Sequence, residues 1–286
     1  MNQNQIKRIK EIVIEKSLLI IACSAVGILL LIALFIFREG TPVIFKYGLK
    51  KFVGTNNWSP LKGEFGILAM ILGSLWVTLG ALVVGVPLGL GCAVFLTEFV
   101  PSKVRMILKP TIELLAGIPS VVYGFIGVII LVPFIRNVFG GPGLSVAAAS
   151  IVLAIMILPT IISISIDAIL AVPKTYREGS LALGATRWQT ITGVVLIAAR
   201  SGIVASIILG MGRAIGETMA VIMVAGNTVQ APHSILAPVR TLTANIALEM
   251  GFATGDHRSA LFATGVVLFI VVMALNVIAS KAVKRK

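Results

Sequence analysis

Long apolar blocks alternate with short polar interruptions along the whole chain. The blocks fall at 17–37, 67–96, 111–134, 144–170, 201–225 and 259–280. An apolar helix of about 20 residues crosses the hydrocarbon layer of a bilayer. The pattern therefore predicts an all-α integral membrane protein with six transmembrane helices. The stretch 171–200 breaks the pattern, because among apolar neighbours it carries Lys174, Arg177, Glu178, Arg187, Gln189 and Arg200. It is too polar to cross lipid. From Tyr176 to Leu183 its apolar residues are spaced as on a short amphipathic helix, Gly184 stops that helix, and a second begins near Trp188. A helical hairpin of this kind either lies on the lipid surface or has its apolar face covered by a protein partner, and spacing alone leaves both open.

Charge then orients the helices. Short loops rich in Lys and Arg stay on the cytoplasmic side. Lys7, Arg8, Lys10 and Lys16 precede the first block, and Lys103, Arg105 and Lys109 lie between the second and third. The hairpin adds its basic residues, and Lys281, Lys284, Arg285 and Lys286 follow the last block. Six spans place all of these on one side, so both termini and the hairpin are expected in the cytoplasm. Arg38, Lys46, Lys50, Lys51 and Lys62 in the first outer loop, 38–66, vote the other way and are outweighed. That loop, with Trp58, is expected to be a lid, a contact surface or a solvated connector. A net charge of +13 would suit nucleic acid, but its basic residues sit between apolar spans, where orientation signals belong. The first block is read as a retained span rather than a cleaved signal, since no small-residue exit follows it. Cys23 and Cys92 lie inside apolar blocks, and His233 and His257 are isolated, so no metal site or disulfide is expected.

Chemistry is concentrated in a few places. Small residues from Gly73 to Gly91 suit the second span to close packing inside the bundle, and Pro87 should kink it. In the third block Pro110 suits a first helical turn, with Glu113 beside it where the helix dipole favours an anion. Gly117, Pro119 and Gly124 make that helix uneven, and Glu113, Pro119 and Tyr123 become candidates for a pathway or its gate. The run Phe139-Gly140-Gly141-Pro142-Gly143 reads as a tight outer turn, since no Lys-Ser/Thr pair follows the glycines as in a phosphate loop. Arg213 and Glu217 lie about a dozen residues into the fifth block. A central Arg costs roughly 2.5–3.5 kcal/mol even on lenient insertion scales, so it must face the bundle interior or a watery cavity. Four residues apart on a continuous helix, the two would share a face and pair. Gly210, Gly212 and Gly216 would leave room beside them. Either the pair is a structural bridge, or Arg213 meets an anion in transit through bidentate hydrogen bonds while Glu217 holds the empty guanidinium.

Two runs carry a resemblance. Glu178-Gly179-Ser180-Leu181-Ala182-Leu183-Gly184-Ala185-Thr186 resembles the EAA loop of ABC importer permeases, which has an acidic residue, two small residues and a glycine a few positions on. Gly179 and Ser180 stand where that family usually has two alanines, and both are still small. Gly212-Arg213-Ala214-Ile215-Gly216-Glu217-Thr218-Met219, continuing to Ala225-Gly226-Asn227, is similar to the PstC-type branch of the phosphate-specific ABC permeases, as is the stretch 113–124. The likeness runs from about residue 66 to the C-terminus and more loosely before it.

The resemblance implies a type I ABC importer permease fold. Residues 1–66 would form the N-terminal segment, first span and outer loop, and 67–286 the transmembrane domain with its coupling hairpin. It implies half of the pathway of a binding-protein-dependent phosphate importer in the bacterial cell membrane. Arg213 and Glu217 would lie on the substrate pathway. Glu178, Gly179, Ser180, Ala182, Gly184, Ala185 and Thr186 would couple to the ATPase. The implied partners are a second permease chain of PstA type, two ATPase subunits of PstB type and an extracytoplasmic phosphate-binding protein of PstS type, all set in membrane lipid. No cofactor is expected on this chain, because ATP with Mg would be used by the ATPase. No nucleotide motif or nucleophile–base set suggests an enzyme. The rival readings are a sulfate or molybdate permease and an ion-coupled secondary anion transporter, the latter expected to show internal repeats.

Overall fold

A computed structural model describes residues 3–284 and the side chains of residues 13–281. Arg285 and Lys286, and the side chains of Lys7, Arg8, Lys10 and Lys284, lie outside the described residues. The described chain is mostly helical, with one two-stranded hairpin and an irregular stretch over 225–241. Helix α1 (Gln3–Tyr47) leads to a short α2 (Leu49–Gly54) and the antiparallel pair β1 (Trp58–Ser59) and β2 (Glu64–Phe65). Next come α3 (Leu68–Val94), α4 (Ser102–Ala116), α5 (Ser120–Ile126), α6 (Val132–Phe139) and α7 (Val146–Leu170). The hairpin region holds α8 (Lys174–Ala182), α9 (Arg187–Thr190) and α10 (Leu196–Ala198). The chain ends with α11 (Arg200–Gly216), α12 (Met219–Val224), α13 (Leu242–Glu249) and α14 (Gly255–Lys284).

Among the described residues five helical stretches are long and apolar enough to cross a membrane: Val13–Tyr47, Leu68–Phe99, Ser120–Phe139, Val146–Leu170 and Gly255–Lys281. A sixth is a bent pair, Arg187–Ala198 with Arg200–Gly216, turning by 70° at Ala199. Two expected spans are corrected. The third starts at Ser120, not residue 111, because Gly117 and Pro119 separate it from α4. Pro110 and Glu113 therefore lie inside α4 rather than in the first turn of the span. The fifth is displaced and bent, and its helix stops at Gly216 instead of running to 225. The first outer loop is also shorter than expected, since α1 continues to Tyr47 and α2 with the strand pair fills most of what remains.

Helix α7 is the centre of the bundle. It is the most enclosed of the candidate spans, with 67% of its most apolar window buried, against 28% for α3. The glycines of α3 let the two backbones close: a Cβ on Gly85 would lie 2.9 Å from Ile157, and one on Gly89 2.8 Å from Ile161. The rest of α3 faces outward through Leu79, Val83 and Leu88, so this helix is interior on one face only. Buried Ser165 and Ser206 share a hydrogen bond of 2.9 Å that ties α7 to α11. Helix α1 stands at the edge and rests on α14, with Gly40 against the backbone of Ala263 and Phe35 edge-on to Phe262 at 5.5 Å.

Candidate functional site

The corner between α11 and α12 sets the position of Arg213. Glu217 is extended (φ −68, ψ 134), and its Oε1 accepts the backbone N–H of Thr218 at 3.0 Å and of Ala220 at 3.2 Å. It caps the first turn of α12. The expected Arg213–Glu217 pair is therefore not made, since the helix that would have stacked them ends between them. Arg213 is half-buried and reaches across to two other helices. Its Nη1 donates to Thr160 Oγ1 of α7 at 3.5 Å and its Nη2 to the Ala116 carbonyl of α4 at 3.3 Å. Both contacts are long and both acceptors are neutral. A guanidinium has five N–H donors, so most of its capacity is unused among the described residues. A Cβ on Gly212 or Gly216 would meet nothing within 4 Å, whereas Gly210 packs on Ile161 at 3.0 Å. Two of the three glycines thus leave room, and the third serves packing.

Below Arg213 a polar seam runs between α4 and α7 toward the hairpin. Ser163 Oγ donates to Glu113 Oε1 at 2.5 Å. Lys109 Nζ lies 2.5 Å from Asp167 Oδ1 and 3.8 Å from Glu113 Oε1. Tyr123 donates its O–H to the Leu115 carbonyl at 2.8 Å, bridging the break at Gly117–Pro119. Pro119 and Tyr123 therefore sit at the α4–α5 break, and Glu113 lies inside α4, three residues before the Ala116 carbonyl that Arg213 contacts. Sequence reading passed over Thr160, Ser163 and Asp167. Their signal was available, because positions i, i+3 and i+7 make one stripe on an otherwise apolar helix.

The hairpin forms much as its residues predict. Helix α8 ends at Ala182, and Gly184 takes φ +86, a conformation glycine adopts without strain. Thr186 caps α9 in a reciprocal box with Gln189, and Ser180 Oγ meets Thr190 Oγ1 at 3.0 Å to join the two arms. Glu178, Gly179, Ala182 and Leu183 are exposed, and a Cβ on Gly179 would touch nothing within 4 Å. Arg177, which no motif singled out for a contact, fastens the hairpin to the bundle. It donates to Glu98 Oε1 at 2.8 and 3.3 Å, to the Val172 carbonyl at 2.9 Å and to that of Ile169 at 3.1 Å.

At the opposite end Glu249 joins distant Trp58 to two nearer residues, Arg240 and His257. It accepts from Trp58 Nε1 at 2.8 Å, pairs with Arg240 at 2.6 Å and meets His257 at 2.8 Å. Trp58 is thus a clasp in a polar cluster rather than a lone interfacial residue. Helix α13, which carries Glu249, has its first turn buried, from Leu242 to Asn245. The glycine turn after α6 is held by Arg136, which donates to the Pro142 carbonyl at 2.9 and 3.2 Å. Among the described residues no group of three His, Cys, Asp or Glu could hold a metal ion.

Known proteins share much of this sequence. The family described as "Binding-protein-dependent transport system inner membrane component" matches residues 85–286. "Probable ABC transporter permease protein YqgH" of Bacillus subtilis (strain 168) is 44% identical over 262 residues, covering 88% of this chain and 85% of that protein. "Phosphate transport system permease protein PstC" of Xylella fastidiosa (strain 9a5c) is 41% identical over 248 residues, covering 80% and 76%. Among solved structures, a bacterial ABC transporter involved in the import of the acidic polysaccharide alginate matches with TM-score 0.65 at 17% identity. That match spans 97% of this chain and 99% of the other, and it is a likeness of fold.

Proposed function

The chain belongs to the binding-protein-dependent transport system inner membrane components, and from that premise we infer that it is the permease subunit of an ATP-driven phosphate importer. It is a multi-pass protein of the bacterial inner membrane and a transport component. Its relatives at 34–41% identity that are named as phosphate permeases support phosphate as the substrate. The observation that carries the substrate site is Arg213. A partly buried guanidinium at a broken helix, touching among the described residues only neutral oxygens at 3.3 and 3.5 Å, is poised to gain from a tetrahedral oxyanion. Long contacts are cheap to exchange, so phosphate can be taken and released without a deep well. Glu217 serves this site by holding the corner rather than by pairing with the Arg.

Both chain ends and the hairpin lie in the cytoplasm in this reading. A second permease chain of PstA type completes the pathway, and a PstS-type binding protein delivers phosphate to the outer mouth. Two PstB-type subunits hydrolyse ATP with Mg, while this chain holds no cofactor. Exposed Glu178, Gly179, Ala182, Gly184 and Thr186, with half-buried Ser180 and Ala185 between them, form the ATPase contact, and Arg177 transmits the motion to Glu98 just after α3 and to the end of α7. Rigid-body alternating access then opens the path to one side at a time.

The test is Arg213→Ala in the reconstituted complex. Uptake should fall at least a hundredfold while co-purification with the ATPase is unchanged. Normal uptake by that variant would remove Arg213 from the pathway.

A further inference from the structure

We infer that Glu113 is the specificity-determining residue that makes the Arg213 site accept a protonated oxyanion and refuse an unprotonated one. The inference rests on the reading of Arg213 as the anion contact. Phosphate and sulfate are both tetrahedral oxyanions, but near neutral pH phosphate keeps at least one O–H and sulfate keeps none. An Arg alone cannot tell them apart, since it only donates. A carboxylate only accepts when ionised, so it can bond a P–O–H and faces a sulfate oxygen as one acceptor against another.

The seam puts such an acceptor one layer from Arg213. Ala116, whose carbonyl takes Nη2, lies three residues beyond Glu113 on α4, and Thr160, which takes Nη1, lies three before Ser163 on α7. On each helix that is about 4.5 Å of rise, close enough for one oxyanion on Arg213 to touch Glu113 as well. Ser163 and Lys109 both approach Oε1, and Oε2 has no partner among the described residues. The Glu113 side chain is 48% exposed within this chain. An ionisable group in an apolar region takes such exposure toward water or a facing subunit rather than toward lipid. Asp167 anchors Lys109 one layer further on, which fixes the seam without entering the Arg213 layer.

The experiment uses the whole complex in ATP-filled proteoliposomes, with phosphate-loaded binding protein outside. Initial uptake of labelled phosphate is read while unlabelled anions in the lumen compete for the inward-open site. In the wild type, lumenal phosphate and arsenate should inhibit, while sulfate and selenate should need at least a tenfold higher concentration. Arsenate and selenate are similar in size and differ in the proton, so equal inhibition by the two overturns the inference without any mutation. Glu113→Gln should let sulfate inhibit as well as phosphate does. Asp167→Asn loosens the seam but keeps the acceptor, so it should preserve discrimination. If Glu113→Gln still discriminates, or Asp167→Asn loses discrimination equally, Glu113 is structural. Either result leaves the Arg213 reading intact, which fails only if Arg213→Ala transports normally.

Discussion

Replacing Arg177 by Ala should separate ATP hydrolysis from transport, and the size of the effect can be worked from its contacts. The guanidinium makes four hydrogen bonds, two to the Glu98 carboxylate and two to carbonyls at the end of α7. Its side chain is 21% exposed and that of Glu98 14%, so water compensates only in part. Removing one partner of an enclosed ion pair costs about 3–5 kcal/mol when burial is complete. Hydrogen bonds to charged groups are worth about 1.5–3 kcal/mol each. Discounted for the exposed fraction, the loss is about 2 kcal/mol, or roughly a thirtyfold shift toward a hairpin detached from the bundle. Helix α8 should remain formed, because its own backbone bonds are untouched. The assay is the ratio of phosphate taken up to ATP hydrolysed in the reconstituted complex, together with the labelling rate of a cysteine placed at Ser180. We expect the ratio to fall about tenfold or more and labelling to quicken. The double substitution Glu98→Gln with Arg177→Ala should cost less than the sum of the two single changes. A ratio within twofold of wild type, with unchanged labelling, would show that the hairpin does not depend on this clamp.

Other outcomes follow from separate parts of the molecule. Glu178→Lys should leave the fold intact, since Glu178 is exposed and makes no hydrogen bond among the described residues, yet ATP hydrolysis should run without uptake; normal coupling would contradict the docking role. Glu217→Ala removes the cap of α12 at a cost of about 1 kcal/mol and should slow uptake, whereas Glu217→Gln keeps an acceptor and should largely restore it. A collapse of uptake in the Gln variant would mean that charge, not capping, is what the position supplies. Gly89→Val drives side-chain atoms into Ile161 and should destabilise the α3–α7 contact by about 1–3 kcal/mol in thermal unfolding. The control Gly91→Ala, where a Cβ meets nothing within 4 Å, should not.

The apolar blocks gave the helices because a bilayer leaves the backbone no other partner than itself. The hairpin was legible down to its stop at Gly184, since a positive φ and a capping box are local events written in adjacent residues. What could not be read was where an apolar helix pauses. Nothing apolar ends at Gly216, and at the break Glu217 accepts the N–H groups of Thr218 and Ala220 instead of meeting the Arg one turn back. The same holds at Gly117–Pro119, where both residues were noted but the preceding helix was divided between a polar loop and the start of the third span. Partners across the bundle were hidden for a different reason. Glu98 with Arg177, and Glu113 with Ser163, lie 79 and 50 residues apart, and a pairing at that range is decided by packing rather than pattern.

The 70° elbow at Ala199 has a mechanical consequence. A straight rod pushed at one end slides, but a crooked one swings. With its knee enclosed by neighbours, α11 would act as the long arm of a lever, and Arg187–Ala198 as the short one, if the hairpin is moved by the ATPase. Arg213 stands 13 residues beyond Arg200, so about 20 Å of arm separates the knee from the guanidinium. A swing of about three degrees at the knee then carries that group sideways by about an ångström. That is enough to tighten or surrender contacts that start at 3.3 and 3.5 Å.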